Sequence, residues 1–262
     1  MKKLVAFAAA AMLLSGSLYA QDSKLYLVFE FMKVKEGKTA AYLETEDFWA
    51  GIHKERALAG ETLGWDLWAL EPSGADQGYQ YLTVNLFGSM EAMLKGGEAG
   101  ALLAHAKKAY PKMTEREVTA KFNATSDTRE LAVRLFLEQL DTTKGGPEMK
   151  EGTVALIASM MASDRSYEKM ESEIFKPWHQ KMVDAGAKSS WGMARVIFPA
   201  GSDRYASHLV FNMYKDLAQY VAADDYQGPE STMATDLAVQ AGLKTRDMKS
   251  VRLATLIKMV RK

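Results

Sequence analysis

The chain has 262 residues, 33 basic and 33 acidic side chains, 48% hydrophobic residues and no cysteine. That length suits one large domain or two small ones, and the apolar content marks a folded chain. The missing cysteine excludes disulfides, thiol catalysis and Cys-based metal sites, and the balanced charge gives no electrostatic reason to expect a nucleic-acid partner.

Residues 1–20 read as a signal peptide. Lys2 and Lys3 form a basic start, Leu4 to Leu14 an apolar run too short to span a bilayer, and Ser15 to Ala20 a small-residue exit. Cleavage after Ala20 would leave two more acidic than basic side chains, with no membrane contact afterwards and an exported, periplasmic or secreted location.

Leu25 to Val34, rich in aromatic and β-branched residues, predicts a strand. Thr39 to Leu58 predicts a helix, with Tyr42, Trp49, His53 and Ala57 on one stripe and Gly60 placed to close it in the left-handed region. Gly64 to Leu70 and Tyr79 to Phe87 predict a hairpin across the turn formers Glu71 to Gly78. Ser89 is expected to cap a helical region broken at Gly96-Gly97 and Pro111 and reaching about Thr119. Glu130 to Leu140 predicts a fourth strand. The order is β-α-β-β-α-β, the ferredoxin-like pattern.

After Thr142 to Glu148 the order repeats: strand 153–161, helix 166–185 closed by Gly186, hairpin 190–198 and 204–213, helical pieces 215–242 and strand 250–260. Residues repeat as well. His53, Ala59-Gly60 and Trp65 recur as His179, Ala185-Gly186 and Trp191, with Tyr79 and Tyr205 following. Ala132-Val-Arg-Leu135 echoes Ser250-Val-Arg-Leu253. The expected organisation is a first unit at 21–143, a linker at 144–150 and a second unit at 151–262.

A four-stranded sheet with helices on one face leaves its other face bare. The fourth strand is partly apolar on both faces, and Trp65 and Trp68 project oppositely. Exposing several hundred Å² would cost on the order of 10 kcal/mol at roughly 25 cal/mol per Å². The fold expected is therefore α+β, with two tandem ferredoxin-like units packed sheet to sheet.

That pattern resembles the dimeric α/β-barrel superfamily, which includes antibiotic-biosynthesis-type monooxygenases, NIPSNAP-like proteins and the haem-binding chlorite-dismutase group. The resemblance covers nearly all of the chain after residue 20. It implies an intrachain dimeric α/β barrel and a ligand between the sheet and helices of a unit.

His53 and His179, near the ends of corresponding helices, are candidate acid/base groups or haem ligands. The structural alternative is a histidine that pins each helix to its sheet. Trp49, Trp65, Tyr79, Phe175, Trp191 and Tyr205 would line a pocket for a flat ligand, or form plain core. Glu30 and Arg134 lie on neighbouring strands and are expected to pair. His208 would face His179 or serve as an ordinary strand residue, and His105 is expected to be solvated. Glu46-x6-His53 is not a zinc spacing, and no Gly-x-Ser-x-Gly or His-Glu-x-x-His stretch occurs, so no metal site is assigned.

The function expected is an exported protein binding a small apolar or aromatic molecule, as a monomer or homo-oligomer, without an assigned cofactor. The alternatives are a cofactor-independent monooxygenase-like or haem-dependent enzyme, and an interaction protein.

Overall fold

The computed structural model describes residues 24–97, 99–146, 148–228 and 230–262. The expected leader, 1–20, lies outside the described residues. The first unit runs β1 (Tyr26–Val34), α1 (Thr39–Leu58), β2 (Gly64–Glu71), β3 (Tyr81–Phe87), α2 (Met90–Lys95), α3 (Ala99–Ala109), α4 (Glu115–Thr128) and β4 (Arg129–Thr142). The second runs β5 (Val154–Ala162), a helix in three parts, β6 (Ser190–Phe198), β7 (His208–Tyr214), α7 (Leu217–Ala222), α8 (Met233–Leu243) and β8 (Arg246–Arg261). The three-part helix comprises α5 (Tyr167–Met170), a π-helical turn at Glu171–Phe175 and α6 (Lys176–Asp184).

Within each unit the strands lie in the antiparallel order β4-β1-β3-β2 and β8-β5-β7-β6. The two sheets also hydrogen-bond at both edges, β2 to β8 and β4 to β6, which closes an eight-stranded barrel. Closure removes every edge strand. The shared core fills the interior, with Leu27, Phe29, Trp68 and Leu82 meeting Ile157, Val196, Leu209 and Leu256. Trp68 and Leu70 point in while Trp65 and Leu67 point out under α1, so β2 is apolar on both faces because both are covered.

The helix ends follow the glycines. Gly60 (φ +78°) and Gly186 (φ +73°) occupy the left-handed region, and the next amides, Glu61 and Ala187, bond back to the Arg56 and Met182 carbonyls. Ser89 caps α2 by accepting from the Ala92 amide. The helical region after it runs further than expected, to Thr128. A capping box at Thr114–Glu117 starts a full new helix there, with each residue's side chain bonded to the other's amide.

One sequence match is out of register. The β1–β4 and β5–β8 ladders each bulge, opposite Leu131/Val133 and Met248/Ser250 respectively. That alignment equates Leu135 with Arg252 rather than with Leu253. Arg134 accordingly points outward, whereas Arg252 stacks over Tyr79 at the barrel core, 4.4 Å from its ring centre. Tyr79 and Tyr205 are likewise not equivalent. Tyr79 packs 4.6 Å from Phe31 against the interior cluster, while Tyr205 is exposed and donates to the Lys249 carbonyl.

Candidate functional site

A cavity of about 1000 Å³ lies in the first unit between the outer face of the sheet and the helices. Its floor is Val28, Glu30 and Met32 of β1, Thr83, Asn85 and Phe87 of β3, Trp65 of β2, and Arg134 and Phe136 of β4. Glu46, Trp49, His53 and Arg56 of α1 form one wall, and α2, α3 and α4 supply the rest. The alternation of β1 puts residues 27, 29 and 31 into the barrel and 28, 30 and 32 into this cavity.

His53 sits flat against Trp65, with ring centres 5.1 Å apart and planes at 8°. Its Nδ1 lies 3.3 Å from Arg56 Nη1. A guanidinium only donates, so Nδ1 accepts and the proton of the neutral ring rests on Nε2. Burial, then the charges of Arg56 and Arg129, hold this imidazole well below the usual histidine range. Behind Arg56, Glu61 lies 3.5 Å from its Nε and 2.7 Å from Nε2 of His105. His105 is thus buried in a polar chain and not solvated, because α3 lays it against the α1–β2 connection.

Glu30 and Arg134 pair as expected, at 2.6 Å, with Thr83 donating to the same carboxylate at 3.3 Å. Glu46, almost wholly buried, accepts from Arg129 at 2.8 Å. Burial pushes its carboxyl up and Arg129 opposes the shift. Trp49 Nε1 donates to Thr125 on α4. The lining carries five cations, Lys35, Arg56, Lys95, Arg129 and Arg134, against three carboxylates, Glu30, Glu46 and Glu130.

The second unit copies the scaffold and sets different side chains around the corresponding histidine. His179 stacks on Trp191 at 5.5 Å and 16°, and its Nδ1 meets Lys188 Nζ at 2.9 Å. Phe175, the counterpart of Trp49, is pressed against Gly242 beneath the Arg246 guanidinium. Trp191 is fully buried. His208 does not face His179. It bonds Glu168 at 2.9 Å and Ser207 at 2.9 Å, and Glu168 also holds Arg195. The candidate residues therefore divide. Glu30, Trp49, His53, Trp65 and Arg134 converge, whereas Tyr79, Phe175, His179, Trp191, Tyr205 and His208 lie elsewhere.

Arg56, Arg129 and Asn85 were not singled out from sequence. Arg56 had a signal, since it falls one turn after His53 on the same stripe. Arg129 had none, because it stands where a helix meets a strand.

The sequence matches no family model and no curated protein. Solved structures do match over nearly the whole chain. A candidate monooxygenase from Fusobacterium nucleatum is 12% identical with a TM-score of 0.56, covering 94% of this chain and 96% of that one. Another from Lactobacillus acidophilus is 10% identical at 0.54, covering 92% and 97%. An anthrone oxidase-like protein is 11% identical at 0.51, covering 92% and 94%. The chain has the dimeric α/β-barrel fold. In this barrel both ferredoxin-like units belong to one polypeptide, and at these identities the likeness extends to the fold alone.

Proposed function

We propose that the protein binds one small, flat, apolar or aromatic molecule carrying an acidic group in the first-unit cavity. The observation carrying this reading is a large sheet–helix cavity whose aromatic walls, Trp49, Trp65, Phe122 and Phe136, stand beside the half-exposed Arg134 guanidinium. The aromatic walls favour a ring system, and Arg134, half-exposed, offers its guanidinium to an anion. Residues 1–20 support export of the folded protein, which N-terminal sequencing of secreted material would test by finding Gln21 first.

Two observations weigh against a reaction run by the histidines. A metal or haem ligand needs a lone pair on the nitrogen facing the metal and a proton on the other, donated to an acceptor. His53 and His179 each turn Nδ1 to a cationic donor instead, so a haem axial-ligand role does not fit either ring. The same tautomer makes His53 Nε2 a donor toward a ligand and not a base. The monooxygenase descriptions of the structural neighbours keep an enzyme reading open to assay, with substrate bound in this same cavity.

Thermal shift with 2-naphthoate and 2-naphthalenemethanol tests the binding reading. The carboxylate is expected to raise Tm more than the alcohol, and Arg134→Gln to lose most of that difference. Equal, negligible shifts for both would contradict it.

A further inference from the structure

The two units differ at one polar point. In the second, Lys188 Nζ reaches both His179 Nδ1, at 2.9 Å, and Asn212 Oδ1, at 2.7 Å. The equivalents in the first unit are Thr62, His53 and Asn85. Asn85 pairs with Trp65 across β2–β3 as Asn212 pairs with Trp191 across β6–β7. Thr62 cannot reach as far as a lysine. Arg56 replaces it at the histidine, where the second unit carries Met182, but nothing replaces it at the asparagine. Asn85 is 7% exposed, lines the cavity, and its Oδ1 meets no donor among the described residues. A buried carboxamide oxygen without a donor loses a hydrogen bond it had in water, and native proteins rarely leave one so.

We infer that Asn85 is the polar anchor of the cavity, accepting from a neutral N–H or O–H donor on the ligand, at the point that Lys188 occupies in the second unit. This rests on the binding reading above. The second unit then amounts to the same site closed by its own side chain. The donor is neutral because the Arg56 guanidinium stands beside His53, and a second cation there would be repelled. The oxygen is turned away from the open space, so accepting from a ligand takes a rotation about the terminal torsion of Asn85, which leaves the strand in place.

Indole-3-acetate and its 1-methyl derivative form a matched test pair, sharing ring and carboxylate and differing in the N–H. The cavity has room for the added methyl group. Calorimetric titration of the full chain is expected to show about tenfold tighter binding of the N–H compound. Asn85→Leu should bind both compounds about equally and should melt no lower than the parent, since no bond is lost. Arg56→Met with Thr62→Lys, which transplants the second unit's pair, should remove the preference and weaken both compounds. Equal binding of the two compounds by the parent would overturn the inference and leave the cavity reading standing. A preference that survives in Asn85→Leu would also overturn it. Binding of neither compound would sink the cavity reading and the inference together.

Discussion

His53 is buried, His179 is partly so, and both rings are neutral and stacked on tryptophan, which has a consequence for stability. Their folded pKa values are depressed, that of His179 to about 3, mainly by burial. The unfolded chain, titrating near the usual histidine value, therefore binds more protons below about pH 6.5, and stability must fall as the pH drops through that point. Between pH 7 and pH 5 the loss should be about 2 kcal/mol for His53, and less for the partly exposed His179. Urea unfolding at the two pH values checks this. His53→Gln should lose less on acidification than the parent, and an unchanged difference would mean that another group titrates. The stacked pair also shows which residue roles were legible in the sequence. The recurrence of His and Trp at one spacing marked them as equivalent, yet duplication copies a helix–sheet contact as faithfully as a site. Only the surroundings, Arg56 and open space in one unit, Lys188 and Phe175 in the other, tell the two apart. Those surroundings come from segments distant in sequence.

The element scale carries a second copied feature that was nearly hidden. Glu46 on α1 pairs with Arg129 at the start of β4, and Glu171 pairs with Arg246 at the start of β8. Each pair ties the first helix of its unit to the closing strand. In the first unit the glutamate precedes the histidine by seven residues, in the second by eight. The π turn at 171–175 absorbs the extra residue and restores the facing of His179. A fixed spacing of seven would set Ser172 opposite Glu46, and the inserted residue brings Glu171 there instead, just as the strand bulges put the Ala-Val-Arg-Leu match out of register. Helix and strand order were readable because periodicity is local. Register was not, because a single inserted residue changes which face a side chain takes. Glu171→Ala should destabilise by about 3 kcal/mol, since it leaves Arg246 largely buried without its carboxylate. Denaturant midpoints would show this, and a loss under about 1 kcal/mol would mean that the pair is solvated.

For the whole molecule, hydrogen bonding at both sheet edges makes the units mutually dependent. Residues 24–143 expressed alone would bare Leu27, Phe29, Phe31, Trp68, Leu70, Leu82 and Val84, together with the edges of β2 and β4. That half should aggregate or self-associate by size exclusion, and co-expression with 151–262 should rescue it. A soluble, monomeric half would contradict the shared core. The apolar face demanded by the sequence foretold this pairing, and the resemblance implied the closed barrel; which strands meet at each edge emerged only in three dimensions. The barrel thus holds two copies of one scaffold and keeps an open cavity in the first, walled by α2, α3 and α4. Calorimetric titration of the full chain with 2-naphthoate tests that asymmetry most directly. One equivalent should bind per chain, and Ser126→Trp, which projects into the first-unit cavity, should abolish the binding. Two equivalents, or binding unchanged by that substitution, would contradict it.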